Sequence, residues 1–183
     1  MKIAYFPDFY PDELVYSVAA RYIDHLQFPS QIAGTRNLFG KHTKGASIDF
    51  PYGLQNLLDE MPPHHAYSID GIIQKFTLYP YYAPFLHVSK AQFIYEQMKW
   101  SGIGIYSAAG TSNSNIIRPR WLRYCPVCVE SERKLLGECY WHRLHQIAGV
   151  IICPIHHVYL EDCQLGAAYM VHPHLPCSAI TIL

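Results

Sequence analysis

The chain has 183 residues, half of them hydrophobic and 15% charged, with fourteen basic and fourteen acidic side chains. That length allows one large or two small domains, and the composition supports a packed core rather than a disordered chain. A formal charge of zero argues against strong, non-specific nucleic-acid binding by the chain alone, which needs a basic surface.

The opening stretch "MKIAYFPDFYPDE" lacks the apolar core and small-residue cleavage site of a signal peptide. No apolar run approaches the roughly 20 residues needed to span a membrane, so the expected location is the cytosol. The first helix is expected to begin at Pro11, Asp12 and Glu13, because proline loses nothing in a first turn and acids favour the positive end of the helix dipole. Leu14, Val15, Val18, Ala19, Tyr22, Ile23 and Leu26 continue it as one apolar stripe, ended by Pro29. Ser30 is placed to cap a second helix through Leu38, closed by Gly40. A third fits about Tyr52 to Glu60, stopped by Pro62 and Pro63. A fourth starts at the Ser68 cap and runs to about Tyr79. Pro80 and Pro84 bracket a turn-rich link, and Ser89 caps a fifth helix, "KAQFIYEQMKW", with Gly102 just past its end. "SGIGIYSAAGTSNSN", from Ser101 to Asn115, reads as a loop or linker.

A boundary is expected there. Residues 1–117 form a bundle of short helices, residues 118–166 a zinc-binding module with short strands at "GVIIC" and "HVYLE", and residues 167–183 a tail. The fold class is mainly α, a helical bundle followed by a zinc-knuckle module. The apolar ending "CSAITIL" suggests a truncated further domain or an end that packs against something.

Six cysteines in a chain without a secretion signal favour metal over disulfides. Cys125-Pro-Val-Cys128 and Cys153-Pro-Ile-His156 form two short knuckles. A two-residue gap brings both side chains of a knuckle to one ion, and two knuckles complete a tetrahedron around Zn2+. Cys125, Cys128, Cys153 and His156 are therefore the expected ligands of one structural zinc ion, with His157 as the alternative fourth ligand. Cys163, His172, His174 and Cys177 could form a second site, but their spacing matches no pattern that physical reasoning supports. His142 and His145 lack the H-E-x-x-H arrangement of a zinc protease. With Tyr140 and Trp141 they read as a packing and hydrogen-bonding layer over the zinc module. A zinc hydrolase using the two histidines would need an open coordination position, which a closed Cys3His set denies. No phosphate loop, nucleophile elbow or carboxylate cluster appears, so the chain reads as non-enzymatic, without a small-molecule substrate.

Basic residues concentrate between Arg118 and Arg143. Arg118, Arg120, Arg123, Arg133, Lys134 and Arg143 are the candidate phosphate contacts, and a stand-alone zinc-ribbon DNA-binding regulator is one reading of them.

Cys125-Pro-x-Cys128, then Gly137-Glu138-x-Tyr140-Trp141-His142-Arg143-x-His145-Gln146, then Cys153-Pro-x-His156 resemble the TniQ family of transposon target-selection proteins. "YPDELVYSVAARY" and "TLYPYYAPF" are similar to its TnsD branch, so the resemblance covers about residues 5 to 165. It implies an adaptor that joins double-stranded target DNA, or a DNA-targeting complex, to an AAA+ ATPase transposition regulator. It also implies a bacterial protein, at the nucleoid when bound to DNA. The family tends to meet the ATPase through its amino-terminal segment. Here that is about Tyr5 to Arg21, with Tyr5, Phe6, Asp8, Phe9, Tyr10, Asp12 and Glu13 offering aromatic and acidic contacts. The sequence departs from the family in three ways. It stops where TnsD-like proteins continue for hundreds of residues, it carries His157 where glycine is common, and only Cys163 stands where many relatives have a second cysteine pair. These departures imply a piece that binds its protein partner better than DNA.

Overall fold

The first helix, α1, spans Val15–His25, four residues later than the proline and acid signals place it. Asp12 takes a left-handed backbone, with φ of 60°, and Glu13 pairs as an antiparallel bridge with His142. The expected first turn is thus spent on a contact with a segment far along the chain. Most of the apolar stripe behaves as expected, with Val15, Val18, Ala19, Tyr22 and Ile23 buried, but Leu14 is buried ahead of the helix and Leu26, just past its end, is exposed. A computed structural model describes residues 2–42, 44–63, 65–111, 119 and 121–163 of the chain.

Helix α2, Gln31–Phe39, starts where the Ser30 side chain accepts the Ala33 N–H at 3.2 Å and stops at Gly40, with φ of 61°. Helix α3 covers Leu54–Glu60 after a left-handed Gly53. Helix α4, Ile69–Phe76, is capped by Ser68, which accepts the Gly71 N–H at 3.1 Å. It ends sooner than its apolar pattern suggests because Thr77 is extended. The chain then re-enters a one-turn helix, α5 (Tyr79–Tyr82), and a 3-10 turn, Ala83–Phe85. Both carry proline near their starts, where the missing N–H costs nothing. Helix α6, Val88–Lys99, is capped by His87 rather than Ser89. The glycine-rich stretch from Ser101 is not all loop: Ile105–Ala108 forms α7, with Ile105 buried in the main core. Tyr106, Ala108 and Ala109 pack partly buried against the same core.

These elements enclose a core of Val15, Tyr22, Phe39, Phe50, Leu54, Ile72, Ile94 and their neighbours. Beyond it lie β1 (Arg123–Tyr124), α8 (Pro126–Leu136), a 3-10 turn at Leu144–Gln146, and β2 (Glu161–Asp162), which pairs antiparallel with β1. Of the two expected strands, "GVIIC" and "HVYLE" are joined by one bridge, Ile152 to Tyr159, and the second also supplies the start of β2. Helix α8 was not expected from the sequence, because its apolar residues are few. A second apolar cluster fuses the two regions: Leu14, Tyr16, Ile48 and Leu78 pack with Trp141 and Cys163. Among the described residues no helix is long and apolar enough to cross a membrane. Cys139 is buried and packs with Val129.

Candidate metal centre

The first knuckle is the start of a helix. Cys125 is the N-cap of α8 and Pro126 its first residue, so the proline that stiffens the turn also fits a first helical position. Cys128 sits one turn on, and its N–H donates to the Cys125 Sγ at 3.5 Å. The second knuckle is a tight hairpin. The Cys153 N–H donates to the Val158 carbonyl at 2.8 Å, and the His157 N–H to the Cys153 carbonyl at 2.9 Å. His157 is left-handed, with φ of 56°, a conformation that glycine adopts most easily. Its side chain is exposed, while His156 turns inward.

His156 Nδ1 lies 3.6 Å from Cys125 Sγ, 3.3 Å from Cys128 Sγ and 3.8 Å from Cys153 Sγ, and the Cys128 and Cys153 sulfurs are 3.8 Å apart. A tetrahedral ion with bonds of about 2.3 Å to sulfur and 2.0 Å to nitrogen has edges of roughly 3.5 to 3.8 Å. The four donors therefore sit at spacings that could hold such an ion, and all three sulfurs are buried. Burial pushes the Cys125 and Cys128 thiols up. Burial also acts on Cys153, but the backbone N–H groups of His156 and Ile155 outweigh it and hold that thiol below its usual value. Three buried sulfurs cannot all be thiolates without a nearby cation.

A second grouping, Cys128, Glu132 and His142, adjoins the first. Here His142 Nε2 already meets Glu132 Oε1 at 2.5 Å, too close for an ion that both atoms coordinate, so this is a hydrogen-bonded ion pair. Burial opposes the charge on His142, but Asp12 and Glu132 overcome it and raise its pKa to about 9. The His145 ring lies tilted beside it, at 4.6 Å between ring centres. Burial and the His142 cation push His145 down to about 4. The two histidines form the packing layer that the sequence suggested.

That layer is one side of a buried polar interface. Residues 12–14 pair with 141–143: the Leu14 N–H donates to the Trp141 carbonyl at 3.1 Å, and the Arg143 N–H to the Asp12 carbonyl at 2.7 Å. The Asp12 carboxylate also accepts from Arg143 Nε at 3.1 Å and the Leu144 N–H at 3.0 Å. Arg21 bridges Glu13 at 3.0 Å and Glu138 at 2.7 Å, under the ring of Tyr10 at 4.1 Å. Tyr10 stacks on Tyr140 at 4.9 Å and donates to Glu138. Burial pushes the Glu13 carboxyl up to about 7, against the pull of Arg21 and the Tyr10 N–H. Gln146 acts as a surrogate strand: its side chain accepts the Arg123 N–H at 2.9 Å and donates to the Arg123 carbonyl at 2.8 Å.

These contacts place the sequence-selected residues. Among the candidate partner residues, Tyr5 and Asp8 are exposed, and Tyr5 bonds His25 at 2.8 Å. Phe6 packs on Tyr22, and Phe9 stacks on Phe76 at 4.1 Å. Tyr10, Asp12 and Glu13 face the inner interface. Among the basic candidates, Arg123 is buried and donates to the carbonyls of Val150 at 2.5 Å and Ile147 at 2.7 Å. Arg143 is held by Asp12 and the Gln74 carbonyl, and Lys134 pairs with Glu130 at 2.6 Å. Arg133 lies partly exposed in the last turn of α8. Arg118 and Arg120 lie outside the described residues, as do His172, His174 and Cys177; Cys163 is buried in the second apolar cluster. Sequence reading missed Glu132 and Arg21 as parts of this region, and it placed Gln146 in the motif without a role. Glu132 was findable, since it follows Cys128 by one helical turn once α8 is recognised.

The family model TniQ matches residues 4–160. The chain is 27% identical over 154 residues to the transposon Tn7 transposition protein TnsD of Escherichia coli, an alignment covering 82% of this chain and 30% of that relative. The chain thus spans about a third of the length of the curated relative it matches.

Proposed function

The chain belongs to the TniQ family, and on that premise we propose that it is a non-catalytic adaptor for transposon target selection. In this reading it links double-stranded attachment-site DNA, or a DNA-targeting complex, to an AAA+ ATPase transposition regulator. One structural Zn2+ on Cys125, Cys128, Cys153 and His156 holds the module that carries the link. The protein works in the bacterial cytoplasm and at the nucleoid when on DNA.

The observation that carries this reading is the fate of the Gly137–Gln146 segment. Its Glu138, Tyr140, His142, Arg143 and Gln146 side chains bind other parts of the same chain, and the four metal donors close on one another. A site so closed has no position for substrate or a reactive water, while two parts joined by these contacts suit a protein that presents two surfaces together. Tyr5 and Asp8, bonded to His25 and Tyr67 but exposed at the amino-terminal edge, are the parts of the candidate ATPase contact that lie at the surface. Arg133 and Lys134, at the end of α8, are the candidate DNA contacts in the knuckle module.

The test loads the zinc-bound chain onto a duplex carrying the attachment site and adds the element's ATPase regulator with ATP. The expected result is ATPase retained on DNA only when the chain is present, and lost with Tyr5→Ala/Asp8→Ala. DNA binding by the chain with unchanged ATPase loading would favour the stand-alone zinc-ribbon regulator instead.

A further inference from the structure

The chain is neutral overall, so any local charge excess is informative. From His25 to Ile48 there is no acidic residue, yet Arg36, Lys41 and Lys44 fall within nine positions. All three are exposed. None has an ion-pair partner among the described residues, whereas Arg21, Arg143, Lys99 and Lys134 all have one. Arg36 lies in the last turn of α2, and Lys41 follows the Gly40 that ends it. Lys44 precedes Gly45, which lies against the ring of Phe39 in that same last turn. The three cations therefore gather at one corner.

The described residues of that corner are tied to their neighbours. The Gly45 N–H donates to the His42 carbonyl at 2.8 Å, and the Tyr52 N–H to the Gly45 carbonyl at 2.8 Å. A Cβ on Gly45 would lie 2.5 Å from the Tyr52 carbonyl oxygen and 2.9 Å from the Phe39 ring. His42 packs over Gly53 and meets the Tyr52 ring edge-on at 5.8 Å. Asn56 donates to the Phe39 carbonyl at 3.3 Å. Lysines on an anchored backbone lose less conformational freedom on binding than lysines on a loose loop. Unpaired cations on such a frame suit the regularly spaced charges of a nucleic-acid backbone, which positions a protein without reading bases.

We infer that the corner between α2 and α3, through Arg36, Lys41 and Lys44, is a contact surface for the phosphate backbone of duplex DNA. This rests on the DNA-binding half of the proposed function and assigns it to a face of the helical bundle, apart from the Arg118–Arg143 stretch.

The experiment is fluorescence anisotropy of the zinc-bound chain on a labelled duplex of about 30 base pairs, titrated from 20 to 200 mM salt. Wild type is compared with Lys41→Ala/Lys44→Ala and with the equal charge change Lys75→Ala/Lys90→Ala elsewhere on the bundle. Circular dichroism verifies that each is folded. Each lost phosphate contact removes about 0.9 from the slope of log affinity against log salt. The expected result is a slope shallower by about 2 and an affinity at least ~10-fold weaker at 100 mM for the first variant, with the second close to wild type. An unchanged slope in Lys41→Ala/Lys44→Ala, or an equal loss in Lys75→Ala/Lys90→Ala, overturns the assignment and leaves the adaptor reading standing. No binding by wild type even at 20 mM overturns both.

Discussion

Neutralising His142 gives the sharpest test of how the knuckle module is held on the helical bundle. In the folded chain the imidazolium is buried between Glu132, at 2.5 Å from Nε2, and Asp12, at 3.8 Å from Nδ1. These carboxylates raise its pKa from the ordinary 6.5 to about 9. A raised folded-state pKa means that the folded chain binds the proton more tightly than the unfolded chain. The stabilisation is therefore complete below pH 6.5 and is lost as pH rises through 9. At 1.36 kcal/mol per pH unit the difference corresponds to about 3 kcal/mol. Urea unfolding of the zinc-bound chain at pH 6 and pH 9.5 reads it directly. Wild type is expected to lose about 3 kcal/mol more than His142→Gln between the two values. Cysteine ionisation in the unfolded state is common to both proteins and cancels in the comparison. Equal losses in the two proteins would mean that His142 is neutral in the folded state, and the ion-pair account of this interface would be abandoned.

Three further outcomes follow from the same structure. Cys125→Ser and His156→Ala should each lower bound zinc below one equivalent and partly unfold the chain by circular dichroism. Full zinc in His156→Ala would move the fourth ligand elsewhere. Arg21→Met leaves Glu13 buried without its cation and should cost about 3–5 kcal/mol. Adding Glu13→Gln should recover part of that, so strictly additive costs in the double-mutant cycle would refute the pairing. Gly45→Ala drives a methyl into the Tyr52 carbonyl and should cost about 1–3 kcal/mol in thermal or urea unfolding; a neutral effect would show that the α2–α3 corner is not rigid.

The sequence by itself determined what depends on near neighbours. Ser30 and Ser68 cap their helices and Gly40 closes α2, because a cap needs only the next turn of backbone. The two knuckles were legible for the same reason: each is a local turn, and three thiol sulfurs with an imidazole nitrogen in that pattern admit few other uses. Helix α8 escaped because its partners are ligands and an ion pair rather than a long apolar stripe, so periodicity had little to register. The fate of the charges was decided only by tertiary structure. Asp12 and Glu13 look like a helix start and a partner surface, yet they meet Arg143 and Arg21 inside the molecule. Arg123 looks like a phosphate contact, yet its guanidinium serves the carbonyls of Ile147 and Val150. A buried charge must find its counter-charge wherever the fold brings one. Arg143 and Asp12 are 131 positions apart, and Arg21 and Glu138 are 117, separations at which a sequence names the charges but not the pairs.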